Sequence, residues 1–108
     1  MMPNKSKQKG DRDELSLVHT AIEQGLEARR VPLSGAAEGF KGDVLITDAR
    51  GKMWTVECKV RSRGFSRLYD WMPEYIDALT VRADRKQRLV VLREDTFFEL
   101  IGGHDRDA

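Results

Sequence analysis

Residues 43–60, DVLITDARGKMWTVECKV, read as two β-strands joined by a tight turn. Segments 43–47 and 53–60 are rich in β-branched and aromatic residues, and the DARG sequence between them is typical of a turn. The pattern therefore predicts a β-hairpin in the middle of the chain.

The second strand of this hairpin carries charged residues at alternate positions. Side chains along a strand point to opposite faces in turn. Trp54, Val56 and Cys58 therefore share an apolar face that is predicted to contact the core, where Cys58 would act as a small buried hydrophobe. Glu57 and Lys59 share the opposite face.

The first strand brings a second acid to the same side. If Val44 and Ile46 face the core, Asp43 can approach Glu57 and Lys59. Two carboxylates at about 4 Å repel by roughly 4 kcal/mol at an effective dielectric constant of about 20. A divalent cation such as Mg²⁺, which favours carboxylates, water and phosphate oxygens, would relieve this repulsion. The lysine could then orient the attacking water or stabilise negative charge in phosphodiester cleavage.

A solvated cross-strand ion pair is the alternative for Glu57 and Lys59. A Glu-x-Lys tripeptide is expected about 0.4 times by chance in a chain of this length. The chain also contains a second acid-x-lysine tripeptide, Asp84-Arg85-Lys86, in a predicted polar turn. The tripeptide by itself therefore leaves both interpretations open.

The remaining hydrophobic pattern predicts an α/β order. A first helix is expected over residues 11–24, capped by Asp11 or Asp13 and ended by Gly25. A strand at 26–31 and a turn-rich loop at 32–42 are expected to follow. Next come a helix at 66–76, which Pro73 must start, kink or break, and strands at 78–82 and 88–92. A last helix is expected at 96–101, capped by Asp95 or Thr96. Residues 1–10 and 102–108 are expected to be flexible tails of a single domain at 11–101.

Composition sets the class of protein. A chain of 108 residues fits one domain, and its single cysteine excludes an internal disulfide and fits a reducing compartment. The first ten residues are too polar for a signal peptide, and no apolar run approaches the length of a membrane span. We expect a soluble, cytoplasmic protein without membrane contact, in the host cytoplasm if a phage encodes it.

The net charge of +1 conceals a segregated charge distribution. The basic clusters are Lys5, Lys7 and Lys9; Lys59, Arg61, Arg63 and Arg67; and Arg82, Arg85, Lys86, Arg88 and Arg93. Such segregation permits a basic face on a nearly neutral protein. Composition alone favours the plainer alternative of scattered, solvated charge.

Several short motifs occur together in a fixed order. They are Lys9-Gly10, Glu14, the RVPLSG segment at 30–35, GDV at 42–44 and VECKV at 56–60. This ordered set resembles the archaeal-type Holliday-junction resolvases of the PD-(D/E)xK nuclease superfamily. The resemblance implies a restriction-endonuclease-like core, with a central mixed sheet of about five strands flanked by helices. Gly42 stands where the superfamily pattern has proline, and the likeness fades beyond Lys59.

The resemblance also implies roles for individual residues. Asp43, Glu57 and the backbone carbonyl of Cys58 would hold Mg²⁺, or Mn²⁺ in its place, and Glu14 would complete the acidic cluster. Lys59 would act on the attacking water. The residues expected to contact DNA are Arg30 and Ser34 at the scissile phosphate, and Lys9, Arg61, Arg63 and Arg67 elsewhere. Glu14 has an alternative explanation, since acids are favoured in the first turn of a helix.

The resulting hypothesis is a metal-dependent endonuclease that resolves four-way DNA junctions by paired nicks. Cutting two symmetry-related strands calls for two sites, so a homodimer is expected, with the aromatic segment at 65–75 as its interface. Another branched-DNA or restriction-like nuclease, or a non-catalytic DNA-binding accessory module, remains the alternative. His19 and His104 lack the spacing of a zinc site.

Overall fold

Three antiparallel strands, two of which form the predicted hairpin, make up the first sheet in the computed structural model, which describes residues 5–31 and 43–104. They are β1 (Glu27–Arg30), β2 (Val44–Thr47) and β3 (Met53–Val56), in the order β1-β2-β3. β2 and β3 pair in the register Val44↔Val56 and Thr47↔Met53, so the predicted hairpin is confirmed. The predicted loop at 32–42, with Ser34 in it, lies outside the described residues.

The hairpin turn is organised by one aspartate. Asp48 Oδ1 accepts hydrogen bonds of 2.9 Å from the amides of Arg50 and Lys52, and Asp48 Oδ2 accepts one of 2.8 Å from the Trp54 indole. Gly51 has φ +88°, a left-handed conformation that glycine adopts without steric cost. The turn therefore sets the β2–β3 register, which determines where Glu57 and Lys59 lie relative to β2.

The other two strands form a sheet of their own. β4 (Ala78–Val81) and β5 (Leu89–Leu92) pair antiparallel, and in the described residues they are not hydrogen-bonded to the first sheet. The α/β class is confirmed, and the described residues contain the expected five strands, but in two antiparallel sheets in place of one mixed sheet. The connections within the β2–β3 and β4–β5 pairs, residues 48–52 and 82–88, suit antiparallel neighbours, because parallel neighbours need crossovers of a dozen or more residues.

The first helix is longer than predicted. α1 covers Lys5–Glu23, so it begins six residues before the expected start at residue 11. Lysine and glutamine are good helix formers, and one glycine is tolerated at a cost of about 1 kcal/mol. Asp11 and Asp13 therefore lie inside the helix and do not cap it. Gly25, at φ +82°, ends the helix as predicted.

The second and third helices are short. α2 (Ser66–Asp70) ends before Pro73, which agrees with the expected break but makes the helix shorter than predicted. α3 (Glu94–Leu100) begins two residues earlier than expected, with Arg93 at the N-cap and no side-chain capping bond. The predicted cap by Asp95 or Thr96 is wrong because both residues already lie within the helix. No helix in the described part of the chain is long and apolar enough to cross a membrane.

The core lies between the first sheet and helices α1 and α3. Its buried residues are Val18, Ala21, Leu26, Val44, Ile46, Phe98 and Ile101. Val44 and Ile46 were predicted there. Leu45, which strand alternation places on the opposite face, is also buried at 5% exposure. β2 is the central strand of its sheet, and both of its faces are covered.

The chain after α3 is held against the core. The amide of Gly103 donates to the carbonyl of Phe98 at 2.7 Å, and the amide of His104 donates to the carbonyl of Gln24 at 2.9 Å. The expectation of a frayed tail from Gly102 onward is therefore wrong for residues 102–104. Residues 105–108 lie outside the described part of the chain.

Candidate active site

The segment after β3 carries the candidate catalytic residues. β3 ends at Val56, so the predicted strand through residue 60 is too long. The Asp43 amide donates to the Val56 carbonyl at 2.9 Å, and the ladder stops there. The alternation nevertheless continues, because Glu57 and Lys59 are exposed while Cys58 is half-buried.

Beyond this last backbone bond, the side chain of Asp43 provides the next hydrogen bond between the two segments. Its Oδ2 atom accepts a hydrogen bond of 2.8 Å from the backbone amide of Cys58. A carboxylate acceptor makes such a bond stronger than one between neutral groups. This contact ties the start of β2 to the middle of the Glu57-Cys58-Lys59 segment.

Glu57 and Lys59 form an exposed ion pair. Lys59 Nζ lies 3.4 Å from Glu57 Oε1, with side-chain exposures of 57% and 55%. Exposed pairs of this kind contribute about 0–1 kcal/mol to stability. The lysine and the acid are therefore adjacent and free to rearrange when a ligand binds.

Cys58 lies within electrostatic reach of four acidic side chains. Burial raises the pKa of its thiol to about 11, and the charges of Asp13, Asp43, Glu14 and Glu57 add to that shift. A thiol with such a high pKa is protonated near neutrality and is a poor nucleophile, as its predicted core role requires. In residues 5–31 and 43–104, no three His, Cys, Asp or Glu side chains are close enough together to hold a metal ion.

A second cluster joins α1 to β1. Arg30 Nε donates to Glu14 Oε1 at 3.0 Å, and Arg30 Nη2 donates to Asp11 Oδ1 at 2.8 Å. Burial alone would lower the pKa of Arg30, but the hydrogen bonds and charges of Glu14 and Asp11 raise it overall. The Glu14 side chain is only 13% exposed, so this acid is not a solvating residue of the first turn.

Asp11 is a residue of this cluster that the sequence analysis assigned to another role. It was expected to cap the helix, whereas its carboxylate holds the guanidinium of Arg30. The spacing of Asp11 and Glu14, three residues apart on a helix, was the available signal, because such residues lie on one face.

A groove of about 530 Å³ opens beside Glu57 and Lys59. Its other lining residues are Phe65, Leu68, Tyr69, Met72, Val91, Leu92, Arg93 and Glu94. Burial raises the pKa of Glu94, with Asp13 and Asp95 adding to the shift. Glu94 was missed by the sequence analysis because it precedes the helix expected at residue 96.

The predicted DNA contacts lie in several places. Arg61, Arg63 and Arg67 are exposed beyond the catalytic segment, and Lys9 is half-buried on α1. Arg30 is paired with acids, and its predicted contact with phosphate stays a prediction. Ser34 lies outside the described residues.

An α/β chain with an acid at the start of one strand and an acid-x-lysine segment after its neighbour has the features of a restriction-endonuclease-like nuclease. Residues 5–91 match the family model of the archaeal Holliday junction resolvases (Hjc). The match covers more than half of the chain, and the protein belongs to this family. No curated protein and no solved structure matches it.

The family match confirms the resemblance and extends it. It continues past Lys59 to residue 91, through a segment in which the sequence analysis found no family motif. The family consists of Holliday-junction-resolving endonucleases, so junction DNA is the substrate class.

Proposed function

We propose that this chain is a Mg²⁺-dependent endodeoxyribonuclease that resolves four-way junctions by paired nicks as a homodimer. The observation that carries the proposal is the bond between the Asp43 carboxylate and the Cys58 amide. It holds one acid against the segment that presents Glu57 and Lys59.

The acids present suit a hard divalent cation. Four carboxylates act together on the Cys58 thiol, so negative charge is concentrated in one region. Asp43, Glu57 and the Cys58 carbonyl would hold Mg²⁺, with Mn²⁺ able to substitute. Glu14, whose Oε1 accepts from Arg30, would complete the set only after these side chains move together, because no three acids in residues 5–31 and 43–104 now lie within reach of one ion. When bound, the cation would lower the pKa of water and stabilise charge on the phosphate.

Lys59 is the residue proposed to act on the attacking water and on the scissile phosphate. Its ammonium group is exposed and lies beside Glu57. In this position it would orient the attacking water and stabilise the negative charge that develops on the phosphate oxygens. Because the Lys59 side chain is exposed, its ammonium group can move by a few ångströms to reach the water or the phosphate.

Arg30, which pairs with Val44 in the β1–β2 ladder, would also act on the phosphate. Its side chain is 37% exposed although it contacts two acids. A guanidinium group has five N–H donors, and three remain available after two are used by Glu14 and Asp11. Arg30 would therefore position Glu14 and also contact the scissile phosphate, together with Ser34.

Two arguments favour a homodimer. Resolution requires two cuts at symmetry-related positions, which a two-fold dimer provides. The segment at 65–75 exposes large aromatic side chains, with Tyr69 at 79% and Tyr75 at 82% exposure. Aromatic residues are enriched in protein interfaces, which supports the use of this surface for self-association.

Cleavage of labelled four-way junctions and of matched linear duplex, with Mg²⁺, Mn²⁺ or EDTA, tests the proposal. We expect paired nicks in the junction with either metal, no cleavage in EDTA, and weaker cleavage of the duplex. Junction binding without cleavage in any metal would replace the nuclease by a DNA-binding accessory module. Equal cleavage of both DNAs would leave a nuclease of another specificity.

A further inference from the structure

The β4–β5 hairpin presents a basic tip. Its strands pair from Ala78↔Leu92 to Val81↔Leu89, and residues 82–88 connect them. The base is held by Arg93, whose guanidinium donates to the carbonyls of Met72, Pro73 and Ile76 at 2.7–2.9 Å. The hairpin is thus fixed at its base and open at its tip.

The tip has four basic residues and one acid. The basic residues are Arg82, Arg85, Lys86 and Arg88, and the acid is Asp84. All five are exposed, and within residues 5–31 and 43–104 none of the four cations has an ion-pair partner. Like charges this close repel one another, so this segment suits a polyanionic partner.

The backbone at the tip supports a role beyond folding. Arg85 has φ +63° and is the non-glycine residue with positive φ in the described chain. A residue with a Cβ atom pays about 1–2 kcal/mol for this conformation, which glycine or asparagine would adopt more readily. The turn geometry therefore does not by itself favour arginine at this position.

The tip also lies at a useful distance from the candidate active site. Val91 and Leu92 of β5 line the same groove as Glu57 and Lys59. From Leu92 back to Arg88, four strand residues span about 14 Å. Since DNA rises about 3.4 Å per base pair, this corresponds to roughly four base pairs.

We propose that the β4–β5 tip is a second DNA contact, which binds phosphates of a duplex arm several base pairs from the scissile phosphate. This inference rests on the proposed junction-cleaving function and adds to it a surface separate from the active site. The exposed tip can lie against the phosphates that border a major groove about 12 Å wide. Contacts with phosphates make this binding independent of sequence.

Binding to a labelled four-way junction in EDTA, measured against salt concentration, tests the inference without cleavage. The variants are Arg82→Gln, Arg85→Asn, Lys86→Gln and Arg88→Gln, singly and combined. Asparagine suits the positive φ at position 85, and substitutions at exposed positions change stability by about 0.5 kcal/mol or less. Arg50→Gln, in the turn of the other hairpin, is the matched control for loss of one exposed charge.

Each tip variant should lower the slope of log affinity against log salt by about 0.9, and the combined variant by about 3 to 4. Asp84→Asn should tighten binding, because it removes the acid from the tip. Methylphosphonates placed about four base pairs from the cut should weaken binding of the unaltered protein but not of the combined variant. Arg50→Gln should leave the slope unchanged.

A combined tip variant with an unchanged slope and unchanged methylphosphonate sensitivity would overturn the inference. The proposed function would still stand if that variant bound and cut the junction normally. Loss of cleavage at saturating DNA, with the slope unchanged, would also overturn it, because the tip would then act on catalysis. Failure of the unaltered protein to bind any junction would reject the proposed function itself.

Discussion

The carboxylate of Asp43 accepts a 2.8 Å hydrogen bond from the amide of Cys58. This bond joins two residues that are fifteen positions apart in the chain. It lies between the last pair of the β2–β3 ladder and the exposed pair of Glu57 and Lys59. The acid that starts one strand therefore orients the segment that ends the other.

The first prediction concerns the proposed metal ligands. Asp43→Asn or Glu57→Gln should abolish cleavage, because each removes one negative charge from the cation site. The asparagine oxygen can still accept from the Cys58 amide, so the fold should persist. Junction binding in EDTA should be kept or tightened, since repulsion of phosphate falls. Glu23→Gln, at an exposed position of α1, is the control, and cleavage at the unaltered rate by either site variant would reject the assignment.

The second prediction concerns Lys59. Lys59→Ala should lower the cleavage rate by orders of magnitude with little change in junction affinity, because the lysine acts on the reacting groups. Single-turnover cleavage and binding in EDTA measure the two quantities separately. Lys52→Ala removes an exposed lysine from the same hairpin as a control. A rate that fell only in proportion to affinity would make Lys59 a phosphate contact.

The third prediction concerns the Arg30 cluster. Arg30→Met leaves Asp11 and Glu14 without their shared cation, so the free energy of unfolding should fall by about 1–2 kcal/mol. Urea denaturation measures this loss, and Arg12→Met, exposed on α1, serves as the control. Cleavage should also fall because Glu14 would lose its positioning partner. Full stability in the Arg30 variant would show that the two acids do not depend on the guanidinium.

The fourth prediction concerns the arginines after the catalytic segment. Neutralising Arg61, Arg63 or Arg67 should weaken junction binding equally across DNA sequences and lower the salt slope by about 0.9 each. Binding titrations at several salt concentrations measure both effects. Unchanged slopes in all three variants would assign these side chains to solvated surface.

The fifth prediction concerns assembly. The protein should sediment as a dimer, and Trp71→Glu should shift it toward monomer, because a charge would be buried in an aromatic interface. Trp71 is 51% exposed, so the substitution should not disturb the core. A monomer at all concentrations, with paired cleavage retained, would contradict the expected homodimer.

The sequence by itself was sufficient for the local features of this fold. Alternating hydrophobicity identified the β2–β3 hairpin, and β4 and β5 followed from short apolar runs between turn residues. The strand predicted at 26–31 is also present, as β1. Gly25 and Pro73 gave the helix limits that depend on backbone geometry alone. These features depend on neighbouring residues, so they can be deduced from sequence.

The ordered motifs also identified the family, and with it the candidate residues Asp43, Glu57 and Lys59. Their order along the chain was enough for this, because motif spacing is a property of the sequence. Their roles in metal binding and catalysis stay predictions.

Only the tertiary structure decided the partners of these residues. Residues 5–10 are compatible with a helix, but the cap expected at Asp11 hid the true start of α1 at Lys5. No local pattern showed that Asp11 binds Arg30 instead of capping the helix. The division into two sheets, the end of β3 at Val56 and the burial of Leu45 depend on which strands lie side by side. Such contacts join residues distant in the chain, and their energies come from packing and charge that no local pattern encodes.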